Sequence, residues 1–350
     1  IYMKYVINDS IMAFDIKNEG LFLSVTDNPI LSIDENESEI LTIIESFFTP
    51  QTLDDAYKIA TQKLYIDKDL FLDCFDSLKA NNLLKESTPY ETELSHYQLT
   101  KYKRQISALH SLKGIERSDA EKMQKQICSS TVCIIGVGGI GSYFSLAMAM
   151  IGVENLILID FDKVELSNTS RQILYNESDV GKLKINAAQE KLVQYNRNLT
   201  VQTYNIHIKS PDDISFLKNF KIDLLVLCAD TPRGEIQYIV DEVAHQNNIP
   251  WFFYGPYNHS QISVGPMIIP QKTKSYLTLF PKNTSTDTYK VKKINDHFVA
   301  SICDPYNGFA AQFAAIEAFK FLSGARVPAI INKRYYIDTD EWNMECEIYE

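Results

Sequence analysis

The glycines Gly136, Gly138, Gly139 and Gly141 stand close together in the run GVGGIG, between the apolar stretch Cys133-Ile134-Ile135 and a segment of small and apolar residues. Without a Cβ, such a turn lets backbone amides approach a phosphate at the start of a helix, where the helix dipole also favours an anion. A second apolar run, Leu156 to Ile159, ends on Asp160 and, two residues later, Asp162. At a strand end, Asp160 is placed to accept hydrogen bonds from ribose hydroxyls. The G-x-G-x-x-G pattern marks a nucleotide site and by itself fits readers of NAD and of ATP alike.

Residues further along narrow the choice. Leu166 to Gln172 contains Asn168 and Arg171, Asp179 to Leu183 leads to Lys184, and the apolar run Val226-Leu227-Cys228 leads to Asp230. Hydride transfer has little use for an arginine, a lysine and a carboxylate around its glycine turn. Nucleotidyl transfer uses all three, because cations offset the charge that builds on the phosphates and a carboxylate at a strand end can hold Mg2+.

Taken in order, GVGGIG, LIDFD, SNTSRQ, DVGKLK and CAD resemble the motifs of the ubiquitin-activating-type adenylating family, whose bacterial members include ThiF and MoeB. Upstream, Tyr102-Lys103-Arg104-Gln105-Ile106 is similar to the segment that lends an arginine to the neighbouring subunit in that family. The resemblance implies ATP and Mg2+, with Gly138 and Gly139 at the phosphates, Asp160 at the ribose, and Asn168, Arg171 and Lys184 orienting the α-phosphate. It also implies Mg2+ on Asp230 and a homodimer in which Arg104 acts in trans. Gly136, Gly141 and Asp162 complete the expected nucleotide site. Zinc is not expected: sulfur-carrier members hold it with two C-x-x-C pairs, whereas this chain reads Ser275-Tyr276-Leu277-Thr278 at the first and has a lone Cys346 near its end.

The chain as a whole, including Val264 to Pro270, resembles the peptide-antibiotic branch of the family, which serves microcin C and pantocin synthesis. That resemblance implies a short ribosomal precursor peptide as partner. Its carboxyl group would be adenylated, followed by intrapeptide condensation, the outcome favoured by the missing zinc cysteines, or by nucleotide conjugation. Tyr254, Tyr257, Asn258 and His259 follow a strand end and are candidates for the substrate pocket, with residues 281–296 as a lid. Cys303 has no activating motif beside it. The alternatives are a sulfur-carrier adenylyltransferase and, from other classes, a NAD-dependent dehydrogenase or a non-catalytic peptide-binding protein.

The elements expected to position these groups alternate between strand and helix. Apolar runs at Val132–Gly136, Leu156–Asp160, Val201–Ile206, Leu224–Cys228 and Trp251–Tyr254 predict a doubly wound, mainly parallel α/β sheet of Rossmann-like type over 129–350. Ser263–Ile269 and Tyr335–Asp338 read as later strands and Phe309–Leu322 as a helix stopped by Gly324. Residues 1–88 read as a small winged-helix-like α+β module, with short strands to residue 33 and helices over 38–48, 53–63 and 68–81. Residues 89–128 form a helical connector carrying Arg104. The opening Ile1-Tyr2-Met3 marks Met3 as the expected natural start.

Charge separates the two parts. Residues 1–95 hold seven lysines, no arginine and 18 carboxylates, so the whole formal net charge of −11 resides there and the remainder is neutral. Nucleic-acid binding, which needs cations to displace counterions from phosphate, is excluded for such a module. A docking surface for a peptide with basic residues fits it better. No apolar run is long enough to span a membrane and no signal-peptide pattern opens the chain, so a cytoplasmic location is expected. The six cysteines, at 74, 128, 133, 228, 303 and 346, show no disulfide or zinc spacing.

Overall fold

A computed structural model describes residues 3–8, 11–16, 20–25, 31–33, 37–81, 83–87, 92–112, 114–256, 260–282 and 302–349. The chain divides into two compact units, residues 1–95 with 106–120, and residues 96–105 with 121–350.

The first unit contains β1 (Lys4–Ile7), β2 (Ile11–Ile16), β3 (Gly20–Val25), β4 (Leu31–Ile33), α1 (Glu37–Ser46), α2 (Leu53–Lys63), α3 (Lys68–Ala80) and β5 (Leu84–Ser87). β1 pairs antiparallel with β5, and β2, β3 and β4 form an antiparallel meander. The helices start where the sequence supplies caps: Thr52 accepts from the Asp55 N–H and Asp67 from those of Asp69 and Leu70. Their apolar stripes meet in one cluster that buries Ile43, Phe47, Ala60, Phe71, Phe75 and Leu78. The Tyr5 ring of β1 stands edge-on to Phe75, with centroids 4.9 Å apart. The expected helical connector consists of α4 (His96–Lys101), α5 (Lys103–His110) and α6 (Arg117–Ser129).

The second unit continues with β6 (Thr131–Ile135), α7 (Gly139–Ile151), β7 (Asn155–Asp160), α8 (Lys184–Tyr195), β8 (Thr200–Asn205), β9 (Leu224–Leu227), α9 (Ile236–Gln246) and β10 (Trp251–Pro256). It ends with β11 (Gln261–Val264), α10 (Tyr276–Leu279), α11 (Asp304–Ser323), β12 (Lys333–Asp338) and β13 (Asn343–Ile348). Among the described residues, eight strands form one sheet in the order β13-β12-β11-β10-β9-β6-β7-β8. The five from β10 to β8 run parallel, and β11, β12 and β13 add an antiparallel arm. Strands buried on both faces read as near-continuous apolar runs, which is why β6, β7 and β9 were visible as such. Along β6, Ile134 enters a core with α7, α8 and α11, while Cys133 and Ile135 enter a second core with α9 and the 3-10 segment Pro211–Asn219.

From β6 the chain winds outward through β7 to β8, then returns to lay β9 on the other side of β6. This reversal opens a crevice at the carboxyl ends of β6 and β9, the place where doubly wound sheets bind ligands.

Three expectations need correction. The strand expected over Ser263–Ile269 ends at Val264, because Gly265 turns with φ +93° and Pro266 has no N–H to continue the ladder. The helix expected from Phe309 begins at Asp304, with Pro305 in its first turn, and closes on Gly324 at φ +68°. β13 is an additional strand. Of the segment 281–296 expected as a lid, residues from 283 onward lie outside the described residues.

Candidate active site

The glycine turn is built by close approach. Gly136 follows β6 with φ +90°, and a Cβ there would stand 2.8 Å from the Ala229 backbone nitrogen. A Cβ on Gly141 would come within 1.9 Å of the Gly136 carbonyl oxygen. Neither position has room for a side chain, and α7 therefore begins at Gly139 with its amide end facing the crevice.

Three side chains pin this turn. Asp160, at the end of β7, accepts the Val137 N–H through Oδ2 at 2.7 Å and the Asp162 N–H through Oδ1 at 2.8 Å. Burial raises its pKa, while those two amides and the nearby Lys184 pull it back down. The Tyr175 hydroxyl donates to the Val137 carbonyl at 2.7 Å, and the Tyr254 hydroxyl donates to that of Ile140 at 2.9 Å.

The cations arrive from two segments beyond β7. Lys184 is the first residue of α8; its side chain is 7% exposed and its Nζ lies 2.8 Å from Asp162 Oδ2. Asp162 thus aims the lysine. Asn168 is buried in a 3-10 turn, where its Oδ1 accepts from the Glu165 N–H at 3.1 Å and its carbonyl receives the Arg171 N–H. Arg171 Nη1 donates to the Ser167 carbonyl at 2.7 Å, and no carboxylate pairs with this guanidinium among the described residues. Asp230 lies exposed just past β9, where the Thr231 hydroxyl donates to its Oδ1 at 3.3 Å.

A cavity of about 820 Å³ at the switch point brings together Gly136, Gly138, Gly139, Asp160, Asp162, Arg171, Lys184, Asp230 and Tyr254. Gly141 lies beneath the turn, and Asn168 braces the segment that presents Arg171, so neither lines the cavity. Arg104 is exposed on α5 and lines no part of it. The Tyr254 ring is on the wall, but its hydroxyl is committed to the turn and burial holds its pKa well above the ordinary value. Tyr257, Asn258 and His259 lie outside the described residues.

The cavity also gathers residues that the sequence reading passed over. Gln172 stood in the quoted SNTSRQ run, Arg233 follows Asp230 closely, and Asn307 comes from the start of α11 with no local pattern to announce it. Phe161, Ile206 and Ile208 give one side of the cavity an apolar wall, and Phe161 stacks on His207 with ring centroids 4.1 Å apart. The wall carries the carboxylates Asp160, Asp162 and Asp230 and the cations Arg171, Lys184 and Arg233. Such a site can seat a base against apolar side chains, a ribose at Asp160 and phosphates at the glycine turn between cations.

Where the sequence reads Ser275-Tyr276-Leu277-Thr278 there is a capped helical turn. Ser275 accepts from the Thr278 N–H, and the buried Asp241 carboxylate accepts from the N–H groups of Tyr276 and Leu277 at 3.0 and 3.1 Å. Among the described residues, no three His, Cys, Asp or Glu side chains gather in an arrangement that could hold a metal.

Comparison with known proteins places this geometry. The ThiF family model matches residues 102–349. The molybdopterin-synthase adenylyltransferase of Haemophilus influenzae is 32% identical over 234 residues, 65% of this chain and 86% of that protein. The ubiquitin-like modifier-activating enzyme 5 of Caenorhabditis briggsae is 28% identical over 179 residues, 49% of this chain. The chain spans 41% of that relative's length and 62% of its Caenorhabditis elegans counterpart. Among solved structures, E. coli MccB with AMPCPP and MccA superposes with a TM-score of 0.71 at 26% identity, covering 99% of this chain and 97% of MccB. PaaA superposes with a TM-score of 0.73 at 22% identity, covering 97% of this chain and 98% of PaaA, a likeness of fold.

Proposed function

The chain belongs to the ThiF family, and from that premise we propose that it is an ATP-dependent enzyme that adenylates a carboxyl group of a short precursor peptide. The observation that carries this reading is the convergence of Arg171, Lys184 and Asp230 on the glycine turn, in a cavity that also holds Asp160. MccB, to which the chain is similar along nearly its full length, has been solved with ATP and with N-formylated MccA. The acidic N-terminal unit, common to the reading of the sequence and that full-length likeness, is the proposed dock for the peptide.

In the proposed reaction a carboxylate oxygen of the peptide attacks the α-phosphorus. The bond from that phosphorus to the bridging oxygen of pyrophosphate breaks, leaving an acyl adenylate. Arg171 has no competing carboxylate and offsets charge on the phosphates; Lys184 is kept extended by Asp162 for the same task. Asp160, braced by the Val137 N–H, holds the ribose, and the amides of the turn hold the phosphates. A single carboxylate such as Asp230 would hold Mg2+, and the ion when bound would supply positive charge to offset that of the phosphates.

Pyrophosphate release that requires both ATP and a short precursor peptide is the expected result. NAD binding without nucleotide turnover would overturn the reading. The likeness to molybdopterin-synthase adenylyltransferase favours a second reading, adenylation of a sulfur-carrier protein. Product mass separates the outcomes: a peptide that loses water has been condensed, one that gains AMP has been conjugated, and an adenylated carrier protein supports the second reading.

A further inference from the structure

The carboxamides of Gln172 and Asn307 are parts of the cavity wall to which the proposed reaction gives no task. Asn307 lies in the first turn of α11, fully buried, with its amide laid over Gly139; a Cβ on that glycine would stand 2.7 Å from Asn307 Nδ2. Nδ2 donates to the Arg171 carbonyl at 3.4 Å. This contact sets the amide's orientation, since an oxygen turned that way would face another acceptor. Oδ1 is left as the free acceptor of a residue that lines the cavity, buried without a hydrogen-bond partner among the described residues. Gln172, 5% exposed, lines the same wall beside Gly138, and its Oε1 is likewise buried and unpartnered. Folded proteins rarely leave one buried carbonyl oxygen in that state, and here two share a wall.

Their partner has to be a donor. The phosphates of ATP and an ionised carboxylate present acceptors alone and would be repelled. Ribose hydroxyls belong at Asp160, at the end of β7. Asn307 comes from the other flank, because α11 packs on α7, β10 and β11, and β10 and β7 lie on opposite sides of β6. The apolar wall of Phe161, Ile206 and Ile208, which would seat the base and its amine, also follows β7 and β8, so the Asn307 flank is left for the acyl substrate of the proposed reaction.

We propose that Asn307, assisted by Gln172, is a specificity-determining acceptor for an amide N–H adjacent to the carboxyl group being adenylated. A peptide residue carries such an N–H and a simple carboxylic acid does not. The inference rests on the adenylation reading and narrows its substrate class to the carboxyl groups of acylated amino acids.

Two non-hydrolysable adenylate mimics test it on the full-length protein by calorimetry: N-acetylglycyl-sulfamoyl-adenosine, and its acetoxyacetyl counterpart with oxygen in place of N–H. The unsubstituted protein should prefer the first by at least about tenfold, since a site built to bond an N–H rejects an analogue lacking it. Asn307→Leu should lose that preference, read as the ratio of the two mimics' affinities in the one variant, since the side chain also packs on Gly139 and bonds the Arg171 carbonyl. Gln172→Met, at the cavity rim, should weaken the preference in the same sense and serves should Asn307→Leu not fold. Equal affinities for the two mimics, or a preference that survives both substitutions, overturns the proposal. If neither mimic binds the unsubstituted protein although ATP does, the adenylation reading itself fails first.

Discussion

Asp230, the proposed Mg2+ ligand, is a single exposed carboxylate past β9, in contact with the Thr231 hydroxyl. Asp230→Ala should lower peptide-dependent pyrophosphate release by roughly 100-fold or more and leave peptide binding, read by fluorescence anisotropy, unchanged. Retained full activity would remove Asp230 from the metal role. Gly141→Ala should abolish ATP binding and cost about 1–3 kcal/mol of stability, because its Cβ would be forced onto the Gly136 carbonyl. For Asp160 the pH dependence has a defined sign. Burial favours its protonated form in the folded protein, so it weakens folding as pH rises from its ordinary 3.8 through its raised value. In its proposed role at the ribose Asp160 acts as the carboxylate, so ATP affinity should fall on acidification at a pH above that ordinary value, and Asp160→Asn should erase this acid limb. Direct titration of ATP binding against pH checks both. The glycines, Asp160, Arg171, Lys184 and Asp230 were legible because each sits in a contiguous motif whose neighbours identify it. Tyr175 and Asn307 were not, and Tyr254 was read as a pocket residue without its bond to the turn, since a tyrosine or asparagine gains its task from the distant backbone it happens to reach in the folded chain.

At the scale of elements, the N-terminal helices combine a dry interior with a charged exterior. α3 buries Phe71, Phe75 and Leu78 and exposes Asp69, Asp73 and Asp76, spaced so that the three carboxylates share one face. Reversing that stripe with Asp69→Lys, Asp73→Lys and Asp76→Lys should weaken a basic leader by about tenfold at low salt and leave ATP affinity unchanged. An affinity that stays the same in both would remove α3 as the dock. Phe71→Ala should destabilise this unit by about 3–5 kcal/mol, seen as a lowered thermal transition, because the ring is 1% exposed and packs on Phe47 and Tyr57. Periodicity exposed the helices and the buried parallel strands well. It missed β13, whose six residues are all exposed and carry no alternation for a core to impose. It also shortened α11, an alanine-rich helix apolar on most sides, whose first turn holds Pro305, Asn307 and Gly308, residues that read as a loop.

For the whole molecule, Arg104 sets the open question, since it is exposed on α5 and does not line the cavity that holds Asp160, Arg171 and Lys184. If it completes a partner's site, then Arg104→Ala and Asp230→Ala, each inactive, should together recover about a quarter of the activity when mixed, one intact site forming in each mixed dimer. No recovery after confirmed subunit exchange would confine Arg104 to its own chain. The antiparallel arm has a separate consequence for handling the protein at high concentration. β13 closes the sheet with one side unpaired, and its outward Met344 and Ile348 invite a further strand from any neighbour. Glu345 and Glu347, which alternate to the opposite face of the strand, put like charges along the same edge, so identical edges repel each other. Neutralising both with glutamine should convert a clear solution into one that scatters light and binds thioflavin, with the catalytic crevice, several strands away, still intact.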